Sequence, residues 1–352
     1  MIPTLSGITS QTVVSSRLST RVLSSGKQDG IPVLFLHGNA SSATFWEEVM
    51  LALPAAYRGI APDLRGYGEA DRSQLIDATR GLGDLADDAV ALLDALGVGQ
   101  AHVVGHSLGG SVVWRLLMDY APRFLSATVV CPGSPFGFGG TKGLDGAPCF
   151  ADFAGSGGGT VNPEFVKLMA AGDRSADNPQ ASPRVVMNGF YWKPPFRPAR
   201  EEELLSSMLS EHVGEQQYPG DSTASENWPG VAPGVWGPIN AMSPKYAKSV
   251  KHLYAIEPKP PILWVRGSHD LIVSDSSFFD FATLGSMNII PGWPGAAVMP
   301  PQPMVSQTRA VLEQYAAAGG AFLEVVMEET GHSPYIERPA EFNRHFHAFM
   351  QP

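Results

Sequence analysis

Near the end of its first third the chain reads Val103-Val104-Gly105-His106-Ser107-Leu108-Gly109-Gly110. The apolar run over 101–104 reads as a buried strand. Behind the stretch, 111–120 carries Val112, Val113, Leu116 and Leu117 at helical spacing and reads as a helix. A Gly-x-Ser-x-Gly pentapeptide occurs in many Gly-rich turns. Between a strand and a helix it is the context for a nucleophile elbow, with the Ser107 hydroxyl at the tip of a strained turn. Residues two before and two after the serine must then be small, so that strand and helix can approach. The amide of Leu108 falls at a helix N-terminus, where it can face a developing oxyanion.

Outward from the elbow the pattern is regular. Two short strands over 9–14 and 18–24 suggest a hairpin at a sheet edge. The unbroken apolar run over 32–36 suits an interior strand of a parallel sheet. A helix is expected over 43–53, a strand over 57–62, an amphipathic helix over 82–96 with Leu85, Ala89, Leu92, Leu93 and Leu96 on one face, and a strand over 126–131. After Pro132 the texture becomes rich in Gly, Pro and aromatics, with helical pieces over 163–170 and 199–211. Alternation resumes with a strand over 261–265, a helix over 304–318, a strand over 321–327 and a final helix over 339–349. Strands alternating with helices predict an α/β fold with a mostly parallel sheet flanked by helices. The interruption predicts a large inserted lid. The expected organisation is a core from 1–133, a lid over 134–258 and a second part of the core over 259–352. The aromatic density of the lid (Phe190, Tyr191, Trp192, Phe196, Trp228, Trp236) argues against a disordered linker.

A serine hydroxyl needs a neighbouring base to become a nucleophile, and a base needs a group to orient it. In hydrolases with such an elbow the chain order is Ser, then Asp or Glu, then His. Asp270 lies just past a buried strand and His332 just past the last one, at the sheet edge where ligand-facing residues collect. The expected catalytic residues are therefore Ser107, Asp270 and His332. Asp275 and Asp280 compete for the acid but lie farther past the strand, and His269 beside Asp270 is expected to point away. His102 and His106 read as structural, and His37 as a brace for the loop it opens. That loop, His37-Gly38-Asn39-Ala40, follows the first long interior strand and should supply the second oxyanion donor. The expected oxyanion hole is the backbone N–H of Asn39 and of Leu108.

Apolar residues are 44% of the 352-residue chain and charged residues 16%, so a substantial core can form. The net charge is −10 and no basic block occurs, which argues against nucleic acid as a partner. No run is long and apolar enough to span a membrane, and the N-terminal residues lack a secretory pattern. Cys131 and Cys149 make neither a disulfide framework nor a metal-ligand spacing. A cytoplasmic location is expected, with no cofactor and no metal.

Together, His37-Gly38, Asp63-Leu64-Arg65-Gly66-Tyr67-Gly68, Gly105 to Gly109, Asp270 and Gly331-His332 resemble the α/β-hydrolase superfamily in its cap-bearing branch. The resemblance covers 31–131 and 261–349 and leaves the middle unmatched. It implies a carboxylesterase or lactonase forming an acyl-enzyme on Ser107, and the aromatic, uncharged composition of the inserted stretch leads to the expectation of a bulky apolar ester or lactone as substrate. C–C bond hydrolysis by the same triad and a ligand receptor on the same fold are the alternatives, with perhydrolysis as a side reaction. The loop over 37–42 is similar to that of haloalkane dehalogenases. Those enzymes and epoxide hydrolases carry Asp at the elbow, so Ser107 removes both chemistries from the expectation. A Gly/Pro-rich segment, about 284–303, is a further departure.

Overall fold

The computed structural model describes residues 2–351. Its main strands are β1 (Thr9–Val14), β2 (Ser19–Gly26), β3 (Ile31–Leu36), β4 (Tyr57–Pro62), β5 (Ala101–His106), β6 (Phe124–Val130), β7 (Ile262–Gly267) and β8 (Phe322–Met327). They form one sheet in the order β1-β2-β4-β3-β5-β6-β7-β8. The hairpin β1–β2 is antiparallel and sits at one edge, as its exposed polar face predicts. β2 meets β4 antiparallel, and the six strands from β4 to β8 in that order run parallel. The elbow strand β5 lies at the centre and is buried along its whole length. A parallel sheet is covered on both faces, and this one is.

The helices used below are α1 (Glu47–Leu51), α2 (Gly83–Ala95), α3 (Leu108–Tyr120), α4 (Pro163–Ala170), α5 (Glu201–Met208), α6 (Met304–Ala317) and α7 (Pro339–Met350). Leu85, Leu92, Val112, Leu116, Val311 and Leu312 bring α2, α3 and α6 onto one face of the sheet. Trp46, Val49, Met50, Phe342 and Phe346 bring α1 and α7 onto the other.

Two expected helices are shorter than their apolar spacing suggests. The one over 43–53 divides into a tight 3₁₀ turn, Ala43–Trp46, and α1. Its first amide is taken by Asp63 Oδ1 at 3.0 Å, and Pro54 prevents its continuation. The one over 199–211 is α5 alone, because the chain then turns to meet the loop after β4. The Gly68 amide donates to Ser210 O at 3.1 Å and the His212 amide to Gly66 O at 2.8 Å.

The stretch between β6 and β7 adds no strand to the sheet. It contains α4, α5, a π-helical turn at Met187–Tyr191 and three short two-stranded pairs. It has its own apolar cluster, including Phe165, Met169, Met187, Trp192, Leu205 and Met208, which Ala40 and Phe45 join from the sheet side. The 284–303 segment braces it from outside. Trp228 Nε1 donates to Pro291 O at 2.9 Å, and buried Gln302 accepts from the Gly139 amide at 2.6 Å and donates to Gly137 O at 3.0 Å. Among the described residues no helix is long and apolar enough to cross a membrane.

Candidate active site

Ser107 sits between β5 and α3 with φ 53° and ψ −117°, a backbone region that residues with a Cβ rarely occupy. The local sequence leaves little choice. A Cβ on Gly105 would lie 2.2 Å from Gly109 O, and one on Gly109 would lie 2.3 Å from Leu36 O. Both positions admit only glycine, and the small residues let α3 start directly on the strand. The strain is held by the Ser107 amide donating to Val130 O at 2.9 Å and the Ser111 amide donating to Ser107 O at 3.0 Å. Ser107 remains partly exposed, while its neighbours His106 and Leu108 are buried.

The structure separates the competing acids. His332 Nδ1 and Asp270 Oδ2 are 2.8 Å apart, and both side chains are 3% exposed. Asp270 Oδ1 accepts from the Ile272 and Val273 amides at 2.8 and 3.0 Å, which fixes the carboxylate. Asp275 instead caps α6, accepting from the Val305 and Ser306 amides at 2.8 and 3.0 Å. Asp280 caps a short helix and accepts from the Gln302 amide at 2.8 Å. Burial raises the Asp280 carboxyl to about 6. His269 is exposed and faces Glu329 at 3.8 Å. With Nδ1 engaged by Asp270, His332 carries its proton there and leaves Nε2 as the free base. Its backbone carbonyl accepts from His106 Nε2 at 2.8 Å, and the two rings lie 4.7 Å apart. No hydrogen bond joins His332 to Ser107 among the described residues. Such contacts are commonly long in resting enzymes and tighten when substrate binds.

His37 braces the neighbouring loop as expected. Its Nε2 accepts from the Leu64 amide at 3.0 Å, which leaves the proton on Nδ1, 2.8 Å from Gly38 O. Complete burial lowers its pKa to about 4, so the ring is neutral. Gly38 lies against the elbow: a Cβ there would be 3.1 Å from Ser107 Cβ. Ala40 turns the loop with φ 43°. Neither the Asn39 nor the Leu108 amide donates to a protein acceptor among the described residues, so both are free to meet an oxyanion. The Asn39 side chain is committed elsewhere, with its Oδ1 accepting from Tyr67 Oη at 2.8 Å.

Four residues outside the sequence-predicted set complete the surroundings. Tyr67 is the first. Tyr191, from the π-helical turn, donates from its hydroxyl to Asn39 O and Ala40 O at 3.1 and 3.0 Å, and its ring centroid is 6.4 Å from that of His332. Glu337 accepts from the Gly331 amide at 2.6 Å and the Lys193 amide at 2.9 Å, joining the His332 loop to the inserted stretch. Burial raises its carboxyl to about 7 against those two donors. Cys131 is buried beside the acid, and its sulfur with the facing atoms of Asp270 and His332 lies within 4.8 Å. The trio could in principle hold a metal ion. However, burial keeps Cys131 as a thiol, and the facing atoms of Asp270 and His332 already bind each other. The donor set suits a hydrogen-bonded acid–base pair better than a cation.

Of the aromatic residues over 134–258, Phe165, Tyr191, Trp192, Phe196 and Tyr218 build that stretch's own core, with Trp192 only 1% exposed, and Phe136, Tyr246 and Tyr254 pack against the sheet core. A cavity of about 40 Å³ runs along α3 between Trp114, Met118, Phe138 and Met242. A second of about 10 Å³ lies by Leu18 and Asp63. Neither is lined by Ser107, so neither corresponds to a roomy apolar pocket above it.

Comparison with known proteins bears on the fold. A sequence family described as the alpha/beta hydrolase fold matches residues 31–156. A carboxylesterase from Bacillus subtilis named nap, itself uncharacterized, is 28% identical over 56% of this chain and 69% of its own. The 2-hydroxymuconate semialdehyde hydrolase of Pseudomonas sp. strain CF600 is 31% identical over 40% of this chain and 50% of its own. The crystal structure of carboxylesterase CesB from Bacillus subtilis superposes with a TM-score of 0.60 at 16% identity, covering 97% of this chain and 91% of that one. Against three other curated relatives the match spans 46%, 39% and 33% of their length, less than half in each case. Residues 31–156 thus match the alpha/beta hydrolase family, and the chain shares its overall fold with the solved esterases it superposes on.

Proposed function

We propose that the protein is a serine hydrolase that cleaves a carboxylic ester or lactone through an acyl-enzyme on Ser107. The observation that carries this reading is the 2.8 Å contact of His332 Nδ1 with Asp270 Oδ2, at the sheet edge where the strained elbow exposes Ser107. Ser107 Oγ attacks the carbonyl carbon as His332 Nε2 takes its proton. Asp270 holds the tautomer and stabilises the imidazolium. The amides of Asn39 and Leu108 stabilise the oxyanion. His332 then gives the proton to the leaving alcohol, and water activated by the same ring releases the acid. None of these steps calls on a cofactor.

Residues 134–258 serve as the lid in this reading, since Tyr191 and the Lys193 amide hold the oxyanion loop and the His332 loop. The 2-hydroxymuconate semialdehyde hydrolase relative favours a second reading, C–C bond hydrolysis by the same triad. Purified protein should cleave p-nitrophenyl esters. Bleaching of a vinylogous dienoate chromophore without ester cleavage would favour the second reading.

A bulky apolar acyl group is expected to bind best, on the strength of the lid's aromatic composition. Each buried methylene contributes about 0.8 kcal/mol, so kcat/KM should rise roughly fourfold per carbon from acetate until the site is full. A profile that falls steadily from acetate onward would contradict this and indicate a small acyl site, in keeping with the two cavities lying elsewhere.

A further inference from the structure

Glu211 stands in the turn after α5, on the lid, and is 3% exposed. Both of its carboxyl oxygens are buried without a partner in good hydrogen-bond geometry. The Tyr67 hydroxyl and the Ala40 amide lie close enough to act on the carboxyl group. Both belong to the oxyanion-loop assembly, because Tyr67 Oη donates to Asn39 Oδ1 and Ala40 is the residue that turns the loop. An unsatisfied buried oxygen is costly, and an unpaired buried carboxylate more so. Glu211 is therefore not an ordinary helix-end acid.

We propose that Glu211 is a positioning residue: its carboxyl group couples the lid to the Asn39–Ala40 turn, through Tyr67 and the Ala40 amide, and so aims the Asn39 N–H at the substrate carbonyl. This rests on the serine-hydrolase reading above. The hydrogen-bond directions require the acid form. Tyr67 spends its one proton on Asn39 Oδ1, and Tyr191 spends its own on Asn39 O and Ala40 O. A neutral carboxyl can donate its proton to Tyr67 Oη and accept from the Ala40 amide at the other oxygen. A carboxylate can only accept. Tyr67 would then turn its proton toward Glu211, and Asn39 Oδ1 would lose its donor.

The surroundings keep the acid neutral. Burial raises its pKa well above the usual carboxyl range, and no cation acts on it. Tyr67, Tyr191 and Tyr218 face it, and burial raises each of those hydroxyls too. His212, next in the chain, turns Nε2 to Gly68 O at 3.1 Å, and burial keeps its ring neutral. Ionisation of Glu211 at alkaline pH should therefore loosen the oxyanion loop.

The test compares wild type, Glu211→Gln and Glu211→Ala between pH 6 and 10, with kcat and KM for p-nitrophenyl butyrate and amide hydrogen exchange over residues 37–42. The Gln amide can donate to Tyr67 and accept from Ala40. Glu211→Gln should keep kcat within about twofold at pH 7 and abolish an alkaline increase in exchange, corrected for the intrinsic pH dependence, that wild type displays. Glu211→Ala should lower kcat at least ~10-fold, a fraction of the ~10²–10³ that losing an oxyanion donor costs, with KM nearly unchanged and faster exchange at Asn39 and Ala40. Glu337 titrates in all three proteins and cancels in the comparison. Wild-type kcat and exchange in Glu211→Ala would overturn the proposal, and so would a loss shared equally by Glu211→Gln. If Glu211→Ala does not fold, Glu211→Gln and the pH arm decide. If wild type cleaves no ester, the serine-hydrolase reading fails, while hydrogen exchange, which needs no substrate, still judges Glu211.

Discussion

Ser107→Ala should lower ester turnover by roughly 10³- to 10⁶-fold, as loss of a triad nucleophile does elsewhere. The fold should survive the change. Ser107 Oγ makes no intramolecular hydrogen bond among the described residues, and its side chain does not cap α3. Alanine meets the same backbone strain at φ 53° that serine does, so the elbow is neither relieved nor further stressed. The measurement is kcat/KM alongside circular dichroism and thermal melting. Wild-type turnover in a correctly folded Ser107→Ala sample would rule out the mechanism.

Asp270→Asn should cost about 10⁴-fold in kcat, because an amide nitrogen facing His332 Nδ1 forces the ring proton onto Nε2, where it blocks the base. The Ile272 and Val273 amides can still donate to the retained oxygen, so the loop should stay folded. Asp275→Asn is the contrasting change. Its retained oxygen can still accept from the Val305 and Ser306 amides, and Asn caps about as well as Asp, so stability should fall by less than about 1 kcal/mol and kcat should stay within about twofold. Greater damage from Asp275→Asn would mean that the acid has been misassigned.

Much of this site was legible because its parts are tied to sheet strands. The elbow is written in the spacing of Gly105 and Gly109, and the clashes a Cβ would cause there give the physical reason. Asp270 and His332 could be found because each follows a buried apolar run, and strand ends are where a parallel sheet brings distant residues together. His37 followed from its place at the start of the loop after β3. The residues of the inserted stretch were not legible in the same way. Tyr191 sits in a π-helical turn and Glu211 in the turn that ends α5, neither marked by a repeating pattern. A Glu at the end of a helical piece rich in Glu, such as the one expected over 199–211, gives no sign of burial. It is the Gly66–Gly68 loop pulling residues 210–212 inward that buries it. Cys131 reads as one more apolar residue at the end of β6, and nothing in its local sequence announces Asp270 as a neighbour. The 284–303 segment reads as a loop because its anchors, Trp228 and Gln302, find partners far away in sequence.

Whether Ser107 is an activated nucleophile is settled by intact-mass analysis after treatment with a fluorophosphonate. The native protein should gain one phosphonyl group, peptide mapping should locate it on Ser107, and denatured protein or Ser107→Ala should gain none at that position. A native, folded protein that stays unlabelled, or carries the adduct on another residue, would contradict the account.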